Sequence, residues 1–352
     1  MTLAPTAVHD ETVVDLGSPY DLPRSLGVLQ RGHADPSIRI DPGEFLGGAR
    51  GTPGAGAWLC LRIYTMEDAT SPPSELGQAT LRLDQLDPSQ VRVRVAASSE
   101  SAAQAAMHRS AGILGCEDDW QDLEFLLDAL GDRISLTLAQ VRRRHPGVRL
   151  PATGALFDEL VTATLEQKVT HDQARYAWRN LLRRHGDRPP GTAALTAPEW
   201  MRLPLTASQL RAVPSWEWHR LWVQPPLSAT VQRMAARAAA VHRLGLSTPV
   251  DTFDVQELAD QLTAIPGIGV WTVAEALQRS HGAADLPAVG DYHLSAFVGE
   301  ALTGRRTDDD GMLALLEPFR PHRQRIVRLL KLSGFQHQRM GPKLAPEDHR
   351  GR

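Results

Sequence analysis

Three side chains in the last third of the chain are of types that could act together on one substrate: Trp271, Glu275 and Asp291. An ionised carboxylate stabilises positive charge that develops in a transition state, and an indole face attracts a cationic ring. Trp271 and Glu275 are four residues apart, so on a helix they share one face. Asp291 precedes an apolar pattern at helical spacing, where aspartate also serves as an ordinary N-cap. Both roles are open to Asp291, because capping fixes a carboxylate and keeps it ionised.

A glycine hairpin between two predicted helices must position these side chains. Asp254 and Glu257 form a capping pair that opens the first helix. Gly267 and Gly269 allow backbone angles and a close approach that a Cβ would block. The second helix is predicted to begin near Val270, and the free N–H groups before it can hold a phosphate oxygen.

These motifs carry a resemblance. The sequences IPGIG at 265–269, WT at 271–272 and VGDY at 289–292 resemble the helix-hairpin-helix DNA glycosylase superfamily, in particular its AlkA-like 3-methyladenine DNA glycosylase II branch. The resemblance implies an α+β fold, in which an N-terminal antiparallel β-sheet domain precedes a glycosylase core of two all-helical subdomains. It also implies that the hairpin grips the DNA backbone and that Asp291 is the catalytic residue.

The residue type at position 271 bears on the reaction. Relatives that also cut the strand carry a lysine there, which attacks C1′ of the sugar. Here the residue is Trp271, so water is the expected nucleophile and an intact abasic strand the expected product. The predicted base pocket comprises Trp271, Glu275 and Tyr292, and it favours alkylated, cationic purines such as 3-methyladenine and 7-methylguanine. Glu275 stands where an aromatic residue is usual, and a merely solvated carboxylate is the alternative.

A second motif is the junction EQKVT at 166–170, between two predicted helices. The resemblance places a glutamine here and then a residue that wedges into the duplex where the target base has left, which would be Gln167 and Lys168. Two polar residues in an exposed turn are an equally good interpretation. Thr170 and Gln173 are predicted to form a capping box.

The segment 318–345 contains seven basic residues and no acidic residue. We therefore expect a phosphate-facing surface there, mainly through Pro321, His322 and Arg323. The alternative is a solvated helix face. The DNA-binding residues predicted in all are Gln167, Lys168, Thr170, Gly267, Ile268, Gly269, Thr272 and Arg323.

Composition sets wider limits. The chain has 352 residues, a formal charge of −3 and 42% hydrophobic residues, which is typical of a globular protein. Cys60 and Cys116 cannot supply the four thiolates of an iron–sulfur cluster, so no cofactor is expected. A structural Na⁺ or K⁺ ion held by the backbone carbonyls of Thr263, Ile265 and Ile268 is the one metal considered. No secretory signal or membrane helix is predicted, and a cytoplasmic, nucleoid-associated monomer is expected.

The predicted domains are a flexible tail over 1–17, a β-rich domain over 18–118, a helical domain over 119–340 with its hairpin at 255–281, and a second flexible tail over 341–352. Period-two alternation predicts strands over 58–64, 79–83 and 91–95. The function predicted is a monofunctional DNA glycosylase of base excision repair that acts on double-stranded DNA with damaged bases. The alternatives are a glycosylase for another modified base and a non-catalytic DNA-binding or lesion-sensing protein.

Overall fold

A five-stranded antiparallel sheet forms the N-terminal part of the computed structural model, which describes residues 7–43, 54–68, 71–248 and 252–336. Its order is β1-β5-β4-β3-β2. The strands are β1 (Val8–Asp15), β2 (Ile38–Asp41), β3 (Gly56–Thr65), β4 (Ser74–Gln85) and β5 (Gln90–Ala97). Three of these strands contain the segments that alternation predicted, and the α+β fold class is confirmed.

Strand β1 differs from the flexible tail predicted over residues 1–17. It pairs antiparallel with β5 along its whole length, from Val8 opposite Ala97 to Asp15 opposite Gln90. Most of its side chains are exposed because it lies at the edge of the sheet. An edge strand with little apolar alternation leaves a weak signal in the sequence.

Fifteen helices accompany the sheet within the described ranges. They are α1 (Leu22–Leu26), α2 (Glu100–Leu114), α3 (Gln121–Leu130), α4 (Arg133–Arg144), α5 (Leu156–Leu165), α6 (His171–His185), α7 (Ala207–Ala212), α8 (Ser215–Arg220), α9 (Pro225–Ala236), α10 (Ala238–Ser247), α11 (Thr252–Thr263), α12 (Val270–Ser280), α13 (Leu294–Thr303), α14 (Asp309–Leu316) and α15 (Arg323–Leu332). None of the helices in these ranges is long and apolar enough to cross a membrane.

The helical part has two hydrophobic cores, and the sheet with α1 and α2 has a third. One helical core collects residues from α5 to α12, and the other collects residues from α3, α4 and α13 to α15. Helix α12 contributes to both, with Val273 and Leu277 in the first core and Ala274 in the second. Residues at the start of α12 therefore lie where the two helical cores meet.

Candidate active site

In the hairpin between α11 and α12, the predicted backbone angle and close approach are found at Gly267 and not at Gly269. Gly267 has a φ of +93°, and a Cβ there would lie 2.4 Å from Thr230 Oγ1. Arg233, on α9, stabilises the turn, since its Nε donates to the carbonyl oxygen of Pro266 at 3.2 Å. Gly269 has a φ of −101° and open space where a Cβ would point. The first glycine is thus required by the fold, whereas the second leaves the start of α12 accessible. The side chain of Asp254, predicted to cap α11, lies outside the described residues.

The start of α12 has free N–H groups. Gly269 is the N-cap of this helix, and within the described part of the chain no side chain caps it. The N–H groups there are therefore available to an anion. The side chain of Ile268 is buried in the core, so only its backbone can face a ligand. The carbonyl oxygen of Ile265 accepts the Ile268 amide at 2.9 Å and keeps a second lone pair, so the predicted cation stays a prediction.

Thr272 does not fit the role of a DNA contact made by its side chain. The residue is buried, and its Oγ1 accepts a hydrogen bond from Gln167 Nε2 at 2.8 Å. The same Nε2 donates to the carbonyl oxygen of Gly267 at 3.0 Å. Gln167 thus joins the turn after α5 to the hairpin, which the sequence placed 100 residues apart.

The turn formed by residues 166–170, called the 166–170 turn below, holds Lys168 in an unusual conformation. Lys168 is exposed and has a φ of +53°, in the left-handed region that few residues other than glycine adopt. Thr170 closes the turn as the N-cap of α6, and its capping box with Gln173 is confirmed. The hydroxyl of Thr170 is used in that cap.

Asp291 is fixed by three hydrogen bonds. Its Oδ1 accepts the amides of His293 and Leu294, both at 2.9 Å, at the start of α13. Its Oδ2 lies 3.3 Å from the Trp271 Nε1 that donates to it. The structure agrees with the capping interpretation, since the carboxylate accepts the first amides of α13, and its second oxygen faces the first turn of α12. The catalytic role of Asp291 stays a prediction. Its orientation is set before any ligand arrives.

Glu275 is paired with cations rather than freely solvated. Arg279, one turn further along α12, donates through Nη1 to Glu275 Oε2 at 2.8 Å. Burial alone would raise the pKa of the Glu275 carboxyl, but Arg279, Arg31 and Lys331 outweigh burial and hold that pKa below its usual range. Its negative charge is therefore largely compensated, which weakens the predicted preference for a cationic base.

Tyr292 does not line a pocket in this structure. Its side chain is 79% exposed, and it meets the ring of His293 edge-on at 4.8 Å. The base-pocket role of Tyr292 therefore stays a prediction.

The predicted phosphate-facing surface at 318–345 is wrong for Arg323 and Arg325, because both are buried in ion pairs. Arg323 is buried, and its Nη2 donates to Asp285 Oδ2 at 2.7 Å. Arg325 is also buried, and it pairs with Asp118. These guanidinium groups join α15 to the segments of the same chain that carry Asp285 and Asp118, and they do not face solvent. Arg339 and Lys343 lie outside the described residues.

Lysine is rare in this protein: Lys168, Lys331 and Lys343 are the three in the sequence. Lys331 lies on α15 with its side chain exposed. Loss of hydration of the ammonium group, and then the cations Arg279 and Arg328, lower the pKa of Lys331. The carboxylates of Glu275 and Asp291 raise that pKa. Lys331 thus stands in the field of both carboxylates of the site. Sequence reasoning included Lys331 only as one of the basic residues of 318–345, and it missed Arg31 and Arg279. Arg31 could not be found, because only the folded chain brings the segment before β2 towards α12, whereas the i,i+4 spacing of Arg279 from Glu275 was a readable signal.

Comparison with solved structures shows that the chain shares its fold with several proteins that are named as DNA glycosylases. It is similar to the 3-methyladenine DNA glycosylase from Archaeoglobus fulgidus over 92% of this chain and 98% of that one, with a TM-score of 0.65 and 14% identity. The 8-oxoguanine glycosylase/lyase of Clostridium acetobutylicum in its apo form aligns over 93% and 98%, with a TM-score of 0.58 and 9% identity. The sequence matches no family model and no curated protein.

Proposed function

We propose that this protein is a monofunctional DNA glycosylase, which flips a damaged purine out of double-stranded DNA and hydrolyses its N-glycosidic bond. The observation that carries the proposal is the Asp291 carboxylate, oriented by the amides of α13 and by the indole of Trp271. It lies next to a hairpin whose free N–H groups can bind a phosphate. A protein that only binds DNA could use Asp291 as a helix cap, but it would not need the second carboxylate oxygen against Trp271.

The reaction follows from the charge that develops on the sugar. As the base leaves, positive charge builds up near C1′, and a fixed carboxylate stabilises it without having to reorganise. Asp291 would supply that charge and orient the attacking water. Strand cleavage needs a covalent bond between the sugar and a lysine of the protein. Position 271 carries no amine, so this bond is not expected there.

Alkylated purines are the leading substrates. Bases such as 7-methylguanine and 3-methyladenine are cationic and leave easily, so weak pocket contacts are sufficient for their removal. The face of Trp271 would add a cation–π attraction of roughly 0.5–2 kcal/mol. The Archaeoglobus fulgidus protein of the same fold is named for 3-methyladenine, which supports this class.

A neutral modified base is the second candidate, and the ion pairing of Glu275 favours it. Arg279 is bound to this carboxylate and Lys331 acts on it electrostatically, so the site carries N–H donors for an exocyclic oxygen or a ring nitrogen of a neutral base. A cationic base would gain little from a carboxylate that is already compensated. The Clostridium acetobutylicum protein of the same fold is named for 8-oxoguanine, a neutral base.

The duplex would be held through its backbone. The N–H groups at Gly269 would take one phosphate, a Na⁺ or K⁺ ion at the Ile265 carbonyl could assist there, and Lys168 would occupy the space left by the flipped base. We further propose that the protein acts as a monomer in the cytoplasm and needs no cofactor for the chemistry.

Excision assays on duplexes that each carry one lesion test the proposal and separate the two substrate classes. The panel contains 7-methylguanine, 3-methyladenine, hypoxanthine, 8-oxoguanine and uracil, with heat-induced cleavage of the abasic product as the readout. Preferred release of the first two supports the leading class, and preferred release of hypoxanthine or 8-oxoguanine supports the second. Binding without release of any base would leave a non-catalytic lesion sensor. If borohydride traps a covalent complex of protein and DNA, and peptide mapping locates the link at one residue, the water mechanism is contradicted.

A further inference from the structure

The 166–170 turn is attached to the N-terminal part of the chain through one buried arginine. Arg31 lies between α1 and β2, and its side chain is 7% exposed. Its Nη1 donates to Glu166 Oε2 at 2.8 Å, and its Nη2 donates to Glu159 Oε2 at 3.1 Å. A longer contact of 3.3 Å joins Nη2 to Thr162 Oγ1. One guanidinium therefore binds both the body of α5 and Glu166, the first residue of the turn.

Arg31 is itself held in place against the other helix of the turn. Its backbone amide donates to Asp35 Oδ2 at 2.7 Å. Asp35 Oδ1 in turn accepts the amide of Ser37 at 2.9 Å and the Nε1 of Trp178, on α6, at 3.2 Å. The segment that carries Arg31 thus contacts both α5 and α6, the two helices that the turn connects.

The turn needs such support because of the conformation of Lys168. A lysine keeps a φ of +53° only where its surroundings hold the backbone. On one side Glu166 is bound by Arg31, and on the other Thr170 is fixed by its capping box. Between them, Gln167 is hydrogen-bonded to the hairpin. Removing the Arg31 contact would leave the first residue of the turn free to move.

We infer that Arg31 is a positioning residue for base flipping, which holds Lys168 at the angle from which it enters the duplex. This inference rests on the proposed function. Arg31 is too deeply buried to contact DNA, so it acts through Glu166 and the backbone of the turn. The N-terminal part of the chain is then a component of the flipping apparatus.

A binding experiment tests this without any excision. The duplex carries a tetrahydrofuran abasic analogue with 2-aminopurine opposite, whose fluorescence changes when a side chain fills the gap. We expect the wild-type protein and Glu159→Gln to change the signal, and Arg31→Met, Glu166→Gln and Lys168→Ala to change it much less. Glu159 is the matched control because it binds the same guanidinium but is not part of the turn. Fluorescence anisotropy on the same duplex gives the affinity, and thermal unfolding shows which variants fold.

A kinetic experiment separates flipping from chemistry. A lesion in a fully paired duplex must be flipped, whereas the same lesion in a bulge is already unstacked. We expect Arg31→Met and Glu166→Gln to lower the single-turnover rate on the paired duplex by about tenfold to a hundredfold, as a displaced group does, with little loss on the bulge. The double variant Arg31→Met/Lys168→Ala should be no slower than Lys168→Ala alone, since both changes remove one function.

Equal losses on paired and bulged substrates, or a full fluorescence change with Arg31→Met, would overturn the inference. If Arg31→Met fails to fold, Glu166→Gln against Glu159→Gln decides the same question. A wild-type protein that excises nothing would overturn the proposed function, and the fluorescence comparison would still decide the role of Arg31.

Discussion

At the scale of single residues, the two oxygens of Asp291 have different tasks. Oδ1 is used by the amides at the start of α13, and Oδ2 faces the indole N–H of Trp271. Under the proposed function, this division would let one residue be both a cap and the catalytic group. The oxygen that accepts the α13 amides fixes the side chain, and the other would carry the negative charge that acts on the sugar.

Replacing Asp291 by asparagine separates these tasks. The amide oxygen can still accept the α13 amides, but the negative charge is lost and an N–H group then faces the Trp271 donor. We expect excision to fall by at least about a hundredfold to a thousandfold, the loss typical of one preorganised electrostatic group. Single-turnover rates measure this loss, and anisotropy with an abasic-analogue duplex should show that affinity is kept. An unchanged rate would rule out Asp291 as the catalytic residue.

Trp271 has two separable roles, and two substitutions distinguish them. Trp271→Phe keeps an aromatic face but removes the N–H bond to Asp291, which is worth roughly 0.5–1.5 kcal/mol. Trp271→Ala also removes the face, at a further cost of roughly 1–3 kcal/mol of base stacking. We therefore expect the rate to decrease in the order wild type, Phe, Ala. If Phe and Ala are equally slow, orientation of Asp291 is the role that matters and stacking is not.

At the scale of elements, the hairpin pairs a structural glycine with a functional one. A Cβ at Gly267 would collide with Thr230, and the φ of +93° is one that residues with a side chain rarely adopt. A Cβ at Gly269 meets open space. We expect Gly267→Ala to lower the free energy of unfolding by roughly 1–3 kcal/mol. Gly269→Ala should change it by less than about 0.5 kcal/mol.

For DNA affinity we expect the opposite order: Gly269→Ala should lose more affinity than Gly267→Ala. A methyl group at position 269 would enter the open space beside the start of α12, and we expect it to hinder the close approach of a phosphate to the N–H groups there. Loss of a hydrogen bond to a charged group corresponds to about tenfold or more in affinity. Anisotropy titrations at one salt concentration measure this effect. Full affinity in Gly269→Ala would place the phosphate contact elsewhere.

The hairpin and Asp291 could be predicted from the sequence because both are local: glycine spacing, a capping position and an apolar helix pattern define them. Arg323 could not, since its local surroundings are basic and its partner Asp285 lies 38 residues earlier. The Arg31 contacts with α5 span more than 120 residues and leave no periodic signal. Residue types and spacing predicted which elements exist, whereas charge pairing between distant elements needed the structure.

At the scale of the whole molecule, a group of ionisable residues lies where the sheet meets the helices. Asp158 on α5 and His242 on α10 border a small cavity with Arg62, Tyr64 and Arg109 from the N-terminal part. Burial, and then repulsion by Glu159, raises the pKa of Asp158 to about 7, against the opposing effect of the arginines. Burial, with Arg109, lowers the pKa of His242 to about 4, and its ring stacks on Tyr64 at 3.8 Å.

These two groups act on stability with opposite signs. Asp158 has a raised pKa, so its contribution is complete below pH 3.8 and is lost as the pH rises to about 7. His242 has a lowered pKa, so its contribution is present above pH 6.5 and is lost as the pH falls to about 4. Between about pH 4 and 6.5 the two slopes offset each other.

Asp158→Asn should therefore uncover the histidine slope. We expect the variant to be more stable than the wild type at pH 7.5, by an amount of the order of 2–4 kcal/mol at about 1.4 kcal/mol per pH unit. The difference should shrink towards pH 4, where the wild-type carboxyl is protonated. Urea unfolding at several pH values from 4.5 to 7.5 measures it. A variant that is less stable than the wild type throughout would show that Asp158 is ionised and paired in the folded protein.

The scarcity of lysine has a consequence for how the protein would handle its own product. An abasic site is an aldehyde in one of its forms, and a neutral amine condenses with it to an imine. Arginine side chains stay protonated at neutral pH and do not take part in this condensation. Among the described residues, only Lys168 and Lys331 could. A protein that would hold DNA through the backbone N–H groups of its hairpin, and that brings Lys168 as its one amine into the duplex, offers the product few groups to condense with and can shield it until it is released.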